Sequence, residues 1–76
     1  MALLFREVSQ GRVKVSLRSV GDVDVAAFSK RFGGGGHTKA AGLALPGSLA
    51  EVQSTVLTAA RAYLAEDGGK RRVAAR

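Results

Sequence analysis

The clearest hydrophobic pattern in the chain is a strict alternation of apolar and polar residues over positions 13–18. Such a period of two is typical of a β-strand, whose successive side chains point to opposite faces. The alternation puts Lys14, Ser16 and Arg18 on the polar face. Residues 3–8 are also rich in apolar residues, and the Ser-Gln-Gly-Arg segment between the two stretches favours a turn. The pattern therefore predicts a β-hairpin.

A helical pattern follows the hairpin. Apolar residues at helical spacing begin after Asp24, a good N-cap residue with Asp22 as the alternative, and continue to about Phe32. Gly33 then occupies the position at which many helices end in a left-handed residue. We therefore predict a first helix from Asp24 to about Phe32, followed by a third strand over residues 41–45 (Ala-Gly-Leu-Ala-Leu).

A second helix is predicted from a capping box, in which the side chains of Ser48 and Glu51 each bond the other's backbone amide. This helix should run to about Ala65 and bury an apolar stripe on one side. The stripe consists of Leu49, Val52, Val56, Ala59, Ala60 and Tyr63. The order β-β-α-β-α predicts an α+β fold in which two helices cover a small sheet.

The composition is that of one small globular domain. The 76 residues are 46% hydrophobic and 24% charged, as in an ordinary folded chain. No apolar stretch approaches the roughly 18 residues that span a bilayer, and no signal peptide is evident, so we expect a cytoplasmic location and no membrane partner. The absence of cysteine and the single histidine, His37, argue against disulfides and against a metal site in this chain.

The net charge of +6 is unevenly distributed along the chain. Residues 68–76 contain four bases and no acid, and we expect them to form a basic disordered tail after a domain at residues 1–67. Residues 6–39 contain seven bases and three acids, and the same segment includes a run of glycines. An anionic partner is therefore expected near that run.

The glycine run, Gly33 to Gly36, is the most unusual motif in the sequence. Four consecutive glycines cost chain entropy that a single turn does not require. Without Cβ atoms, their amides can approach a ligand and form a concavity for an anion, with His37 and Lys39 as donors beside it. A flexible linker is the alternative. A Walker A loop and a Rossmann fingerprint do not fit, because this run follows a helix and not a strand.

Arg18 is the second candidate for contact with an anion. It lies on the same strand face as Lys14 and Ser16 and next to Ser19, a combination that suits a phosphate or a base edge. The alternative, a solvated strand residue with no ligand, stays open. The sequence contains no nucleophile elbow, no pair of catalytic carboxylates and no metal cluster. We therefore expect no complete catalytic machinery in this chain.

Three motifs together resemble a known family. They are Val-Lys-Val-Ser-Leu-Arg-Ser at 13–19, Asp-Val-Ala-Ala-Phe-Ser-Lys-Arg-Phe at 24–32 and Gly-Gly-Gly-Gly-His-Thr-Lys-Ala-Ala-Gly at 33–42. Over residues 3–64 the chain resembles the C-terminal DHH-associated domain of the DHH phosphoesterases. The resemblance is strongest to the bacterial branch of bifunctional oligoribonucleases (nanoRNases) and pAp phosphatases.

The resemblance implies a nucleotide-binding domain of a manganese-dependent phosphodiesterase that acts on short RNA, dinucleotides or pAp. In such enzymes an N-terminal DHH domain holds two manganese ions and performs the hydrolysis, and the C-terminal domain binds the nucleotide. The Asp-His-His motif is absent from this sequence. We therefore expect a domain excised from a longer protein, inactive alone, with no catalytic residue, no metal ligand and the DHH domain as its partner.

Carried over residue by residue, the resemblance implies two groups of substrate-binding positions. They are Arg18 and Ser19 of the contact strand, and Gly33, Gly34, Gly35, Gly36 and His37 of the loop. Two other functions stay open: a stand-alone module for single-stranded nucleic acid, and a module that forms a homodimer through a sheet edge. An Asp-His-His motif encoded upstream of Met1 would decide in favour of the phosphoesterase.

Overall fold

The computed structural model describes residues 1–68 and arranges them as a four-stranded antiparallel sheet with two α-helices. The strands are β1 (Ala2–Ser9), β2 (Arg12–Arg18), β3 (Gly35–Gly36) and β4 (Ala40–Pro46), and the helices are α1 (Val25–Lys30) and α2 (Leu49–Tyr63). A π-helical turn, Leu64–Gly68, continues α2. The α+β class and the order of the predicted elements are confirmed, and the predicted tail from residue 69 onward lies outside the described residues.

The sheet is built around β2, the strand with the strict alternation. In space the strands follow the order β1-β2-β4-β3, so β2 pairs with both β1 and β4. Its apolar residues Val13, Val15 and Leu17 are almost completely buried. The predicted hairpin is present, and Gly11 takes a positive φ of 73° in its turn, a conformation that suits glycine. A period-two sequence therefore gives β2 one face toward the core and one away from it.

Helix α1 begins as predicted but ends earlier. The Asp24 side chain accepts a hydrogen bond from the Ala27 amide at 3.0 Å, which makes it the N-cap. The helix ends at Lys30 and not at Phe32, because the backbone hydrogen bonds then change from α-helical to 3₁₀ spacing. The amides of Arg31, Phe32 and Gly33 each donate to the carbonyl three residues earlier, and the last of these bonds, from Gly33 to Lys30, measures 3.1 Å.

Helix α2 begins at the predicted capping box. The Ser48 hydroxyl accepts a hydrogen bond from the Glu51 amide at 3.1 Å, and the Glu51 carboxylate accepts one from the Ser48 amide at 2.9 Å. The Ser48 backbone and side-chain hydrogen bonds hold the pKa of Glu51 below its usual value. The prediction that Leu49 belongs to the buried stripe is wrong. It occupies the first helical position, three residues after the strand ends, and is 38% exposed.

Both helices lie on one face of the sheet. Helix α1 packs against β3 and β4, and α2 packs against β1 and β2. The fully buried side chains with the largest volumes are those of Tyr63, Phe28, Leu17, Val13, Val15, Val25, Val56 and Ser29. The Tyr63 hydroxyl donates to the Asp24 carbonyl at 2.7 Å, which ties the end of α2 to the start of α1. No helix within residues 1–68 is both long and apolar enough to cross a bilayer.

The strand that the sequence did not reveal is β3. It consists of Gly35 and Gly36, which pair with Gly42 and Ala41 of β4. Glycine has a low strand propensity, so a glycine run signals a loop and not a strand. Pairing is nevertheless fixed by a tight hairpin, in which His37 and Ala40 exchange both backbone hydrogen bonds, at 2.7 and 3.1 Å. The second half of the glycine run is therefore part of the sheet.

We expect this chain to self-associate through β1. Within residues 1–68, β1 pairs with β2 alone, so its outer backbone edge can accept another strand. Its Leu4 side chain is 67% exposed beside that edge. Light scattering should show a molecular mass that rises with protein concentration, and Leu4→Lys should reduce the association. A monomer at high concentration would contradict this expectation.

Candidate functional site

The fold itself explains three of the four glycines in the run. Gly33 has a φ of 79° at the end of α1, and Gly36 has a φ of 138°. A Cβ on Gly36 would also lie 2.5 Å from the Ala41 Cα. A Cβ on Gly34 would overlap the Gly42 carbonyl oxygen and the Ser29 hydroxyl. These three positions therefore require glycine whether or not a ligand binds.

Ser29 anchors the run against β4. Its side chain is fully buried, and its hydroxyl donates to the Gly42 carbonyl at 2.5 Å. Its own carbonyl accepts a hydrogen bond from the Gly34 amide at 3.0 Å. Gly34 is thus held between the last turn of α1 and the backbone of β4, which leaves no volume for a side chain.

Gly35 differs from the other glycines in the run. A Cβ built on it would meet no atom within 4 Å, and its φ is not positive. Its partner in β4 is Gly42, which in turn pairs with Ser16 of β2. Because paired residues in a sheet share a face, Gly35 lies on the same face as Ser16. This face is opposite to the one that the helices cover, so the space above Gly35 opens outward.

Two backbone amides of the run are engaged by α1. The amides of Gly33 and Gly34 donate to the carbonyls of Lys30 and Ser29, and the His37 amide, just after the run, donates to the Ala40 carbonyl. In an antiparallel ladder, hydrogen-bonded and non-hydrogen-bonded pairs alternate. Because His37 and Ala40 form a hydrogen-bonded pair, the pair of Gly36 and Ala41 does not, and the Gly36 amide points away from β4 in the plane of the sheet.

Arg18 and His37 lie in one row across the sheet. Arg18 is paired with Ala40 of β4, and on the other side of β4 the backbone of Ala40 forms hydrogen bonds with His37. Adjacent strands are about 4.8 Å apart, so the Arg18 and His37 backbones are separated by roughly 10 Å. Both side chains are exposed, and neither has a hydrogen bond or ion pair to the described part of the chain. Only the Ala40 methyl group stands between them.

Ser19 and Lys39 are used to shape the neighbouring loop. The Ser19 amide donates to the Lys39 carbonyl at 2.9 Å, and its hydroxyl donates to the Val23 carbonyl at 2.6 Å. The Lys39 ammonium group donates to the Gly21 carbonyl at 2.5 Å. The sequence suggested Lys39 as a donor for the anion, but its charge is instead directed at the loop after β2. Ser19 lies beside Arg18, as expected, with its hydroxyl turned into the protein.

The row of Arg18 and His37 is suited to holding an anion. The planar guanidinium group and the imidazole can approach one phosphate from two sides. A hollow of about 250 Å³ adjoins Arg18 on the same face. It is lined by Ala2, Leu3, Leu4, Ser16 and Arg18. The sequence pattern predicted Arg18 and His37 as separate candidates, but only the strand register shows that both are paired with Ala40.

A metal ion would require a cluster of ligand side chains within residues 1–68. Within residues 1–68, no group of three or more histidine, aspartate or glutamate side chains is close enough to hold a metal ion. None of these residues is therefore assigned as a ligand of the manganese, which the resemblance places in the DHH domain.

The chain is similar to a known domain family over most of its length. The model of the DHHA1 domain matches residues 1–66, which include all four strands and both α-helices. No curated protein matches the chain. Domains of this family are normally paired with an N-terminal DHH domain.

The two halves of the glycine run should respond differently to an added methyl group. Gly34→Ala should destabilise the fold by about 1–3 kcal/mol, because the new Cβ must displace Ser29 or the β4 backbone. Gly35→Ala should change stability by less than about 0.5 kcal/mol, because its Cβ enters open space. Urea unfolding followed by circular dichroism measures both. Equal stability of the two variants would contradict this account of the run.

Proposed function

The chain belongs to the DHHA1 domain family, and from this premise we propose that it is the nucleotide-binding domain of a DHH-family phosphoesterase. Within that family we propose a manganese-dependent phosphodiesterase that acts on short RNA, dinucleotides or the adenosine bisphosphate pAp, and a cytoplasmic location. The DHH domain would carry the metal ions and the bond cleavage. The chain described here would bind the substrate and orient it.

The row of Arg18, Ala40 and His37 is the observation that supports this proposal. Two side chains capable of binding phosphate flank a residue that has no more than a methyl group. Neither side chain is engaged by the rest of the described chain, so neither must break an internal bond before it contacts a ligand. Such preorganisation lowers the cost of binding.

In this arrangement a phosphate group lies over Ala40. Arg18 contacts it with two parallel N–H groups, a geometry that a lysine cannot reproduce. His37 donates a hydrogen bond from the other side. Gly35 and Gly42 have no side chains, so the nucleoside attached to that phosphate can lie close to the sheet. Arg18 and His37 would thereby fix the phosphate position for cleavage by another domain.

Alanine at either anion-binding residue should weaken nucleotide binding. A hydrogen bond to a charged group contributes about 1.5–3 kcal/mol, so Arg18→Ala and His37→Ala should each weaken binding of pAp about ten-fold or more. Chemical-shift titration of the labelled protein measures both affinity and location. Lys30→Ala is the matched control, because it removes an exposed base from α1 on the opposite side of the sheet.

Gly35→Val supplies an independent variant for the same site. The Cβ of a side chain here meets no atom within 4 Å, so valine should extend into the open space beside the row, and binding should fall while the fold is retained. Titration shifts at residues 16–19 and 33–39 are the expected result. Shifts that are confined to residues 69–76, or wild-type affinity in both Arg18→Ala and His37→Ala, would refute the proposed site.

Cleavage should require a second domain. The purified chain with added manganese should not hydrolyse pAp or dinucleotides, because no group of metal ligands exists within residues 1–68. Release of phosphate and mononucleotides, followed by chromatography, measures this. Turnover that survives repurification and is abolished by Arg18→Ala would show that the chain is catalytic by itself and would overturn this division of labour.

A further inference from the structure

The face of the sheet opposite the helices has a concentrated positive charge. Along β2, the residues on this face are Arg12, Lys14, Ser16 and Arg18, and their three basic side chains are exposed. Arg6 of β1 adds a fourth exposed base beside them. The strand residues on this face include no aspartate or glutamate, because Glu7 pairs with Val13 and so belongs to the opposite face. We call these four bases and the surface between them the basic sheet face.

Two of the four bases oppose each other directly. Arg6 of β1 is the register partner of Lys14 of β2. The Cβ atoms of such partners are about 5 Å apart, and like charges at this separation destabilise a sheet. Neither side chain forms an ion pair with the described part of the chain. A polyanion that lies over both would relieve this repulsion, whereas the described strand residues of this face offer no counter-charge.

The basic sheet face leads to the proposed phosphate site. Strand residues advance about 3.4 Å each, so Arg12 and Arg18 are separated by roughly 20 Å along β2. Arg18, at the end of this line, is also the residue that shares a row with His37. The neighbouring strand β4 contributes Ala40, Gly42 and Ala44 to the same face, with Pro46 at its end opposite Arg12, so β4 adds no long side chain to this face.

We propose that the basic sheet face is a track for the sugar-phosphate backbone of a single-stranded nucleic acid whose end nucleotide occupies the Arg18–His37 row. The proposal rests on the proposed function, since it places the end of the nucleic acid at the Arg18–His37 row. It also extends that function, because it makes an oligonucleotide a better ligand than a mononucleotide. The track has no aromatic side chain on which bases could stack, so binding should be largely independent of sequence.

The linear arrangement of these charges favours a single-stranded nucleic acid over an acidic protein surface as the ligand. Three of the four basic side chains, those of Arg12, Lys14 and Arg18, follow β2 in a narrow row, with Arg6 beside them on β1. A phosphodiester chain likewise carries its charges along a line. Binding through such contacts depends strongly on salt, because each neutralised phosphate releases counterions. For single strands the logarithm of affinity falls with the logarithm of salt concentration by about 0.7 per phosphate contact. The change in this slope between the wild type and a variant therefore gives the number of phosphate contacts that the variant has lost.

The test compares two double variants that each remove one arginine and one lysine. Arg12→Ala with Lys14→Ala removes charge from the track, and Arg61→Ala with Lys30→Ala removes the same charge from the exposed surface of the helices. Residues 69–76 are present in both. Fluorescence anisotropy then gives affinities for pAp and for a single-stranded RNA of about eight nucleotides over a range of salt concentrations.

The track variant should bind the RNA about ten-fold more weakly and show a salt slope smaller by about 1.4, while its affinity for pAp stays unchanged. The helix variant should bind both ligands as the wild type does. Equal weakening of RNA binding in the two variants, or no RNA binding by the wild type at low salt, would overturn the track. Polyglutamate that binds as tightly as RNA, with the same dependence on Arg12 and Lys14, would also overturn it.

The track and the phosphate site fail in distinguishable ways. If pAp binding depends on Arg18 but RNA binding does not depend on Arg12 and Lys14, the track is wrong and the proposed function stands. If RNA binding depends on Arg12 and Lys14 but pAp does not bind at Arg18, the end site is wrong, and with it the proposal that a strand end is held there.

Discussion

The buried contact between Ser29 and the backbone of β4 is the constraint on which the arrangement of the site depends. The Ser29 hydroxyl donates a hydrogen bond to the Gly42 carbonyl, and the Ser29 side chain is fully buried. A buried hydroxyl without a partner costs about 1–3 kcal/mol, so this bond fixes where α1 can lie on the sheet. The chain that leaves α1 must then pass directly over β4, and Gly34 is the residue that passes there. At the next residue the chain joins the sheet as β3, which brings His37 into line with Arg18.

Much of this fold could be predicted from local sequence patterns. The alternation in β2, the Asp24 N-cap and the capping box at Ser48 are all confirmed. Each depends on residues that are close together in the sequence and on backbone preferences that act locally. The exposure of Leu49 and the early end of α1 at Lys30 could not be predicted, because each depends on where the helix stands relative to the sheet.

The parts of the site that sequence reasoning missed depend on strand register. Nothing in a glycine run indicates that its second half pairs with Gly42 and Ala41, because this pairing is fixed by the hairpin hydrogen bonds between His37 and Ala40. The same holds for the Lys39 side chain, whose acceptor is the Gly21 carbonyl, eighteen residues away in the sequence. Arg18 and His37 could each be proposed from motif and charge. Their position on either side of Ala40 could be read only from the pairing of three strands.

The demands that the fold makes on Gly33, Gly34 and Gly36 affect how a motif of this kind should be interpreted. Two of these glycines have positive φ angles and the third has no volume for a side chain, so a chain that folds this way must keep them even if it has lost its ligand. A pattern search that scores the glycines therefore detects an architecture, and it will also collect chains that bind nothing. Arg18 and His37 are not required by the fold in this way, so under the proposed function a search for active relatives should weigh them above Gly33, Gly34 and Gly36.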